Sequence, residues 1–231
     1  MLNSKDFSDY HYSKSVRNPN YGPSTLVSFN KVLEMIPSKG KVLDIGCFSG
    51  YLLEKIKEKN PHIDVFGVDA SKESVRYYVE KGLNVIEVDA EGKLPFEDSF
   101  FNTVIGMEII EHIVDTDSFL IEIKRILKKD GYLILTTPNV LSLSRRLMAL
   151  FGVNPFFEAS FSYPSSIIAG HVRFFSHILL KGFLEFHHFK VLECKSDVIN
   201  FSNNQKLFSV FLADLFPKLG RGVLIKGQNI K

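Results

Sequence analysis

Val42-Leu43-Asp44-Ile45-Gly46-Cys47-Phe48-Ser49-Gly50 is the stretch on which the reading of this chain turns. An apolar run closes on a glycine-bearing turn, and Tyr51 to Lys59 follows at once with Leu52, Leu53 and Ile56 at helical spacing. Strand, turn and helix with almost no connecting chain are the unit of parallel sheets. Gly46 and Gly50 carry no Cβ, so the backbone there can approach a ligand closely, and the helix beyond offers free N–H groups to a carboxylate. Dinucleotide sites show Gly-x-Gly-x-x-Gly with a pyrophosphate on the helix end. Here the pattern is Asp-x-Gly-x-x-x-Gly. An acid at Asp44 would repel a pyrophosphate and suit the ammonium group of an amino-acid-like ligand. A purely structural turn could carry the same glycines, so the loop alone does not name the ligand.

On either side of this stretch the pattern continues. Residues 1–22 are polar and Tyr-rich and read as an irregular arm. Pro23 and Ser24 open a helix carrying Leu26, Val27, Val32, Leu33 and Ile36, which ends near Pro37 and Gly40. After the glycine loop, strands are expected at Ile63 to Val68, Val85 to Val88, Phe101 to Gly106 and Tyr132 to Thr137. Helices are expected from Ser71 to Gly82 and over Phe119 to Lys129, the latter ended by Gly131. Val140 to Tyr163 reads as a long insertion. Ser176 to His187 is expected helical, Lys190 to Asp197 a strand, Lys206 to Leu215 helical and Gly222 to Lys226 a final strand. The fold class is α/β: a doubly wound, Rossmann-like sheet covered on both faces. Residues 23–231 read as one domain, with residues 140–175 inserted on the substrate side.

Composition narrows the classes. The chain has 231 residues, 45% hydrophobic and 23% charged, enough for one domain with its own core. A formal net charge of +2 recruits no nucleic acid, and none is expected as a partner. Cys47 and Cys194 build no disulfide or metal framework and read as reduced thiols of a cytoplasmic protein. No signal peptide is expected over Met1 to Lys14, and no apolar run is long enough for a transmembrane helix. There are 21 Phe and no Trp. The insertion, with Arg145, Arg146, Leu147, Leu150, Phe151, Phe156, Phe157 and Phe161, reads as a lid over an apolar acceptor, a peripheral membrane contact, or core or dimer packing. Lys128, Lys129, Lys218, Arg221, Lys226 and Lys231 read as solvated.

Two further strand ends carry acids. Asp69, before Ala70 and Ser71, can accept both hydroxyls of a ribose. Asp89, before Ala90 and Glu91, can accept from an adenine amino group. Each alone is also an ordinary helix cap or solvated acid. Three acids at three successive strand ends are harder to explain that way.

Together with Gly106-Met107-Glu108-Ile109-Ile110-Glu111-His112 and Leu127-Lys128-Lys129-Asp130-Gly131-Tyr132-Leu133, these residues resemble the class I S-adenosylmethionine (SAM)-dependent methyltransferases. The resemblance is to the branch with quinone-biosynthesis O-methyltransferases and glycan- or lipid-modifying relatives, over about residues 24–139. It implies a seven-stranded mixed sheet with an antiparallel last strand drawn from the Lys190-to-Lys226 tail. It implies SAM as cofactor, with Asp44, Gly46, Cys47 and Gly50 on the methionine part, Asp69 and Ala70 at the ribose, Asp89 and Ala90 at the adenine, and Met107 alongside. Phe48 departs from the family, where many relatives have Gly; its side chain is expected to point away from the cofactor. Glu108, Glu111 and His112 are associated with a divalent metal in some relatives; the reading favoured here has no metal. His171, in Gly170-His171-Val172-Arg173-Phe174-Phe175, resembles an acceptor-side histidine and is a candidate general base, or a helix-entry histidine bonded to backbone; His112 is the second candidate catalytic residue.

The expected activity is O-methylation of a small, lipid-linked or sugar-linked acceptor by a monomer or homodimer. An NAD(P)-dependent oxidoreductase and a non-catalytic binding module on the same fold are the rivals; the Asp44 spacing argues against the first, and the intact acids against the second.

Overall fold

The structure is a computed structural model that describes residues 21–155, 170–201 and 207–230. Helix α1 (Pro23–Met35) leads into β1 (Lys41–Ile45), α2 (Tyr51–Lys59), β2 (Asp64–Asp69), α3 (Lys72–Glu80) and β3 (Asn84–Glu87). Then come β4 (Phe101–Met107), a 3₁₀ turn (Ile110–His112), α4 (Thr116–Ile126), β5 (Leu127–Pro138), α5 (Leu143–Leu150), α6 (His177–Phe186) and β6 (Phe189–Lys195). A ribbon of β7 (Ile199–Asn200) and β8 (Phe208–Ser209), helix α7 (Val210–Leu215), a second 3₁₀ turn (Pro217–Leu219) and β9 (Gly222–Asn229) follow.

The helices begin where local chemistry allows. Pro23 stands in the first turn of α1, where a missing N–H costs nothing. The Oγ of Ser71 accepts from the N–H of Ser74 at 3.4 Å, Asp115 accepts from Ser118 N at 3.0 Å, and Ser176 accepts from Leu179 N at 3.3 Å, capping α3, α4 and α6. In the main sheet the strand order is β3-β2-β1-β4-β5-β9-β6. The first five strands are parallel, and β9 is antiparallel to both neighbours. The chain winds outward from β1 to β3, then reverses to β4 and β5, so the switch point lies between β1 and β4.

Alternating side chains sort into two cores. Val42, Ile105, Ile134 and Leu224 face α1, α2 and α3, through Phe29, Val32, Leu53, Ile56 and Tyr78. Leu43, Ile45, Val104, Leu133, Leu135 and Ile225 face α4 and α6, through Leu120, Ile123, Leu180 and Leu184. Both faces are therefore dry, and the carboxyl ends of the parallel strands form the edge at which ligand chemistry can collect.

Two expectations are corrected. The helix read to Lys129 stops at Ile126, and Leu127 already pairs with Phe101 as the first residue of β5. Leu127 continues the helical spacing yet is buried as a strand residue, and the chain turns at Asp130, whose φ of +60° no helix accommodates. The segment read as helical from Lys206 is a strand at Phe208–Ser209 before Ser209 caps a shorter helix. Within the insertion lies α5, and the segment's ends meet where Val140 N donates to Phe175 O at 2.9 Å beside a parallel bridge between Asn139 and Phe175.

Helix α4 offers a direct check. Leu120 is 0% exposed and its neighbour Ile121 is 61% exposed. Leu120→Ala is expected to lower unfolding free energy by about 2–5 kcal/mol, and Ile121→Ala to change it by less than about 0.5 kcal/mol. Equal losses in urea titrations would mean that α4 does not pack through this face.

Candidate active site

A cleft of about 520 Å³ opens at the carboxyl edge of the sheet, walled by the turns after β1, β2, β3 and β4, by α1, and by Arg221 ahead of β9. The turn after β1 is folded back on β2. Gly46 N and Cys47 N donate to Val68 O at 2.8 and 3.1 Å. Gly46 has φ +71°, and a Cβ there would meet Ile109 Cδ1 at 3.0 Å, so glycine answers both the backbone angle and the close approach. Phe48 takes φ +38°, an uncommon conformation for a bulky residue. Its N–H donates to Asp69 Oδ2 at 2.8 Å, which holds the turn in place. The Phe48 side chain packs against the α1–α2 core, and the residue also lines the cleft. Gly50, also at positive φ, is demanded by Tyr78: a Cβ would lie 2.6 Å from its ring. Unlike Gly46, Gly50 does not line the cleft.

Asp44 lies at the foot of this turn, 3% exposed. Among the described residues its Oδ1 has no hydrogen-bond partner. A buried carboxylate oxygen without a donor is costly unless something supplies one. Burial, and secondarily the charge of Asp69, push its carboxyl up to about 8. Asp69 is better served, accepting from Phe48 N and, at 2.9 Å, from Ser71 N. Burial still raises its carboxyl above the ordinary value, opposed by those two N–H bonds. Ala70, Asp89, Ala90 and Met107 line the same cleft, and Asp89 Oδ1 accepts from Glu91 N at 3.0 Å. Asp44, Gly46, Cys47, Asp69, Ala70, Asp89, Ala90, Met107 and His112 are thus brought to one wall system.

The acid–imidazole group differs from its sequence reading. Glu108, at φ +52°, is turned onto Thr136, whose Oγ1 donates to Glu108 Oε1 at 2.9 Å. The ligand atoms that lie within 4.8 Å of one another belong to Glu111, His112 and His171. Glu111 is 1% exposed, and its Oε1 is 3.9 Å from His171 Nε2. The rings of His112 and His171 meet edge to face, centroids 4.9 Å apart. Burial, then the neighbouring Glu108, hold the Glu111 carboxyl well above the usual carboxylate range. Burial, then His171, lower His112, so at neutral pH that imidazole is uncharged. One carboxyl and two imidazoles suit a proton-transfer group, and equally the donor set of a divalent transition-metal ion.

Residues 36–164 match a family model described as a methyltransferase domain, which is more than half of the chain. The chain belongs to the methyltransferase domain family. With the class I methyltransferase fold that the solved relatives share, this family membership makes SAM the chain's cofactor. The ubiquinone biosynthesis O-methyltransferase of Pelagibacter ubique is 33% identical over 105 residues, 43% of this chain and 42% of that protein. Less than half the length of that relative is therefore represented. A SAM-dependent methyltransferase from Thermotoga maritima superposes with a TM-score of 0.67 at 22% identity, covering 97% of this chain and 96% of that one. The [4+2]-cyclase SpnF superposes with a TM-score of 0.63 at 15% identity over 99% of this chain and 97% of its own. That resemblance shows the fold alone, and function must be argued from the site. Orphaned Asp44 and Asp69 with spare lone pairs fit the amino-acid and ribose parts of SAM.

Sequence reasoning missed part of the cleft. Tyr21, Thr25 and Ser28 line it from the start of the described chain, and the Tyr21 hydroxyl bonds the Ser49 hydroxyl on the glycine turn. Arg221, read as solvated, instead pairs with Asp197, which is 1% exposed. Lys226, also read as solvated, donates to Met35 O at 2.7 Å and stands over the Tyr132 ring. Phe156, Phe157 and Phe161 lie outside the described residues.

Asp44 gives a pH signature. Its carboxyl titrates near 3.8 in an unfolded chain and near 8 in the folded one. Between those values the folded state keeps a proton that the unfolded state has lost, so stability falls as pH rises and levels off above about 8. Thermal melts of the ligand-free protein from pH 5 to 9 should show a steeper decline for wild type than for Asp44→Asn. Parallel curves would mean that Asp44 does not titrate in this window.

Proposed function

We propose that this chain binds SAM in the cleft and methylates an oxygen of a small acceptor. The observation that carries the reading is the buried Asp44 carboxyl at the base of the glycine turn, short of a donor among the described residues. An ammonium group supplies that donor, and a nucleotide pyrophosphate does not. Asp44 with Gly46 and Cys47 would hold the methionine part. Asp69 and Ala70 would hold the ribose, and Asp89 with Ala90 the adenine side. Gly50 serves the same end indirectly, by letting α2 start against Tyr78. Bound SAM would supply a methyl group on a positively charged sulfur.

The protein's part is alignment and exclusion of water. Met107 and Ile109 wall the site beneath the acceptor. His171, close to Glu111, takes the proton of the acceptor hydroxyl, and uncharged His112 lies against it. The ubiquinone-biosynthesis relatives favour a phenolic or lipid-linked acceptor, with a sugar-linked one as the variant. The insertion at 140–175 borders that acceptor, because it leaves the sheet at the carboxyl end of β5. Leu150 and Phe151, 74% and 77% exposed, stand on or just beyond α5 near Arg145 and Arg146, a combination suited to peripheral contact with an anionic membrane. Among the described residues no helix is long and apolar enough to cross a membrane. We place the protein in the cytoplasm, acting as a monomer or homodimer in one domain over residues 23–231.

Calorimetry should show SAM binding and no binding of NAD, and labelled SAM should pass its methyl to a catechol probe. Asp69→Ala should weaken SAM by about 2–4 kcal/mol, since charged hydrogen bonds are lost together with the tether on Phe48 N. An unchanged SAM dissociation constant would remove Asp69 from the ribose site.

Transfer is proposed to proceed without a metal. The Glu111–His112–His171 group also supports a divalent ion there as a second reading. His171→Ala should lower turnover with little change in SAM affinity. Activity that vanishes on chelation, returns with magnesium or zinc and is lost in Glu111→Gln would replace the metal-free reading.

A further inference from the structure

We infer that Arg221 is the carboxylate anchor of the cleft, the residue that receives a carboxylate of the molecule bound there, with Asp197 and Ser28 as its positioning residues. The inference rests on the reading of the cleft as a SAM site.

The cleft has a marked charge asymmetry. Asp44, Asp69, Asp89, Glu91 and Glu108 line it, and among the described residues Arg221 is the one Lys or Arg that does. The amino-acid end of SAM is a zwitterion. Asp44 answers its ammonium group, and the side chain on the described wall with a fixed charge of the sign its carboxylate needs is Arg221. A carboxylated acceptor would have the same need, and Arg221 can meet it.

Arg221 is built to serve this purpose. It stands immediately before β9, and Gly222 is paired with Pro138, so the antiparallel strand begins at the edge where β4 and β5 end. Its backbone is held on both sides: Arg221 N donates to Val198 O at 2.7 Å, and Asn139 N donates to Arg221 O at 2.8 Å. Its Nε donates to Asp197 Oδ2 at 2.8 Å, and Nη2 donates to that oxygen and, at 3.2 Å, to Ser28 Oγ on α1. The other oxygen of Asp197 accepts from Val198 N at 2.7 Å and Gly222 N at 2.9 Å. Two guanidinium nitrogens are thus committed, while among the described residues Nη1 donates to none. The side chain is still 33% exposed. A guanidinium already ordered by its own carboxylate loses little freedom when a ligand oxygen joins the remaining nitrogen. A merely structural Arg–Asp pair would not need to open onto the cleft, and Arg221 does.

The carboxylate has two sources, the α-carboxylate of SAM or one on the acceptor, and binding to the full chain separates them. The probes are SAM, decarboxylated SAM and 5′-methylthioadenosine on the free protein, and 3,4-dihydroxybenzoate and catechol on protein loaded with S-adenosylhomocysteine. If the source is the cofactor, Arg221→Ala weakens SAM about 10- to 100-fold and leaves decarboxylated SAM and methylthioadenosine unchanged. If it is the acceptor, SAM is unchanged and 3,4-dihydroxybenzoate weakens by a similar factor while catechol does not. Either result supports the anchor. Equal losses for the carboxylated and carboxylate-free members of both pairs, or no loss for any, overturn it. Retained methylthioadenosine binding shows that the variant folds. If Arg221→Ala does not fold, Arg221→Lys keeps the charge and loses the fork: a selective loss for the carboxylated member supports the anchor and a uniform change overturns it. Wild-type protein that binds neither SAM nor methylthioadenosine sinks the methyltransferase reading itself, and does so before any substitution is made.

Discussion

The carboxylate of Asp69 ties together the two backbone segments that give the cleft its shape. One oxygen takes the N–H of Phe48 on the turn after β1, and the other takes the N–H of Ser71 at the mouth of α3. The link is available because β1 and β2 run parallel in register, Ile45 beside Val68, so that their ends emerge together. It also offsets a local cost. Phe48 sits at φ +38°, a conformation that a bulky side chain avoids by about 1–3 kcal/mol. A charge-assisted hydrogen bond of comparable size keeps it there. Were the tether absent, Phe48 would lose the bond that offsets its backbone cost, and the turn would hang on the Gly46 and Cys47 bonds to Val68 O.

Around this tether the edge of the sheet concentrates acids in poorly hydrated surroundings. Asp44, Asp69, Glu108 and Glu111 all have carboxyls raised above their ordinary values, with burial as the first cause in each. Repulsion adds to it: Asp69 acts on Asp44, and Glu108 acts on Glu111. Such a surface is unfavourable while empty of cations or donors and becomes favourable when a ligand brings them. Arg221 tempers this by acting against the rise at Glu108, while its partner Asp197 acts the other way.

The central sheet and the glycine turn were legible because both are local. Buried strands are short apolar runs bounded by glycine or acid, and Lys41 to Ile45 and Tyr51 to Lys59 fall where spacing puts them. What stayed hidden depends on distance in the chain. Nothing near Arg221 announces Asp197 or Ser28, and a basic residue in a polar tail reads as solvated until the antiparallel strand carries it back to the cleft. His171 likewise joins Glu111 and His112 only through the folding back of the insertion, where Val172 N donates to Glu111 O at 2.9 Å. The end of α4 was misread because Leu127 satisfies helical spacing while its burial belongs to the strand that follows.

The insertion after β5 leaves and rejoins the sheet edge at nearly one point, with Asn139 bridged to Phe175. Chain added or removed between those two residues changes neither the register of β5 with β9 nor the turn that carries Asp44. Mechanically the segment is a cassette clipped to the sheet edge at one point. A graft cut at those two points would still have to return donors to the Glu111 carbonyl, which Val172 N and Arg173 N now serve, so the splice is structural at its margins and chemical only at its last few residues.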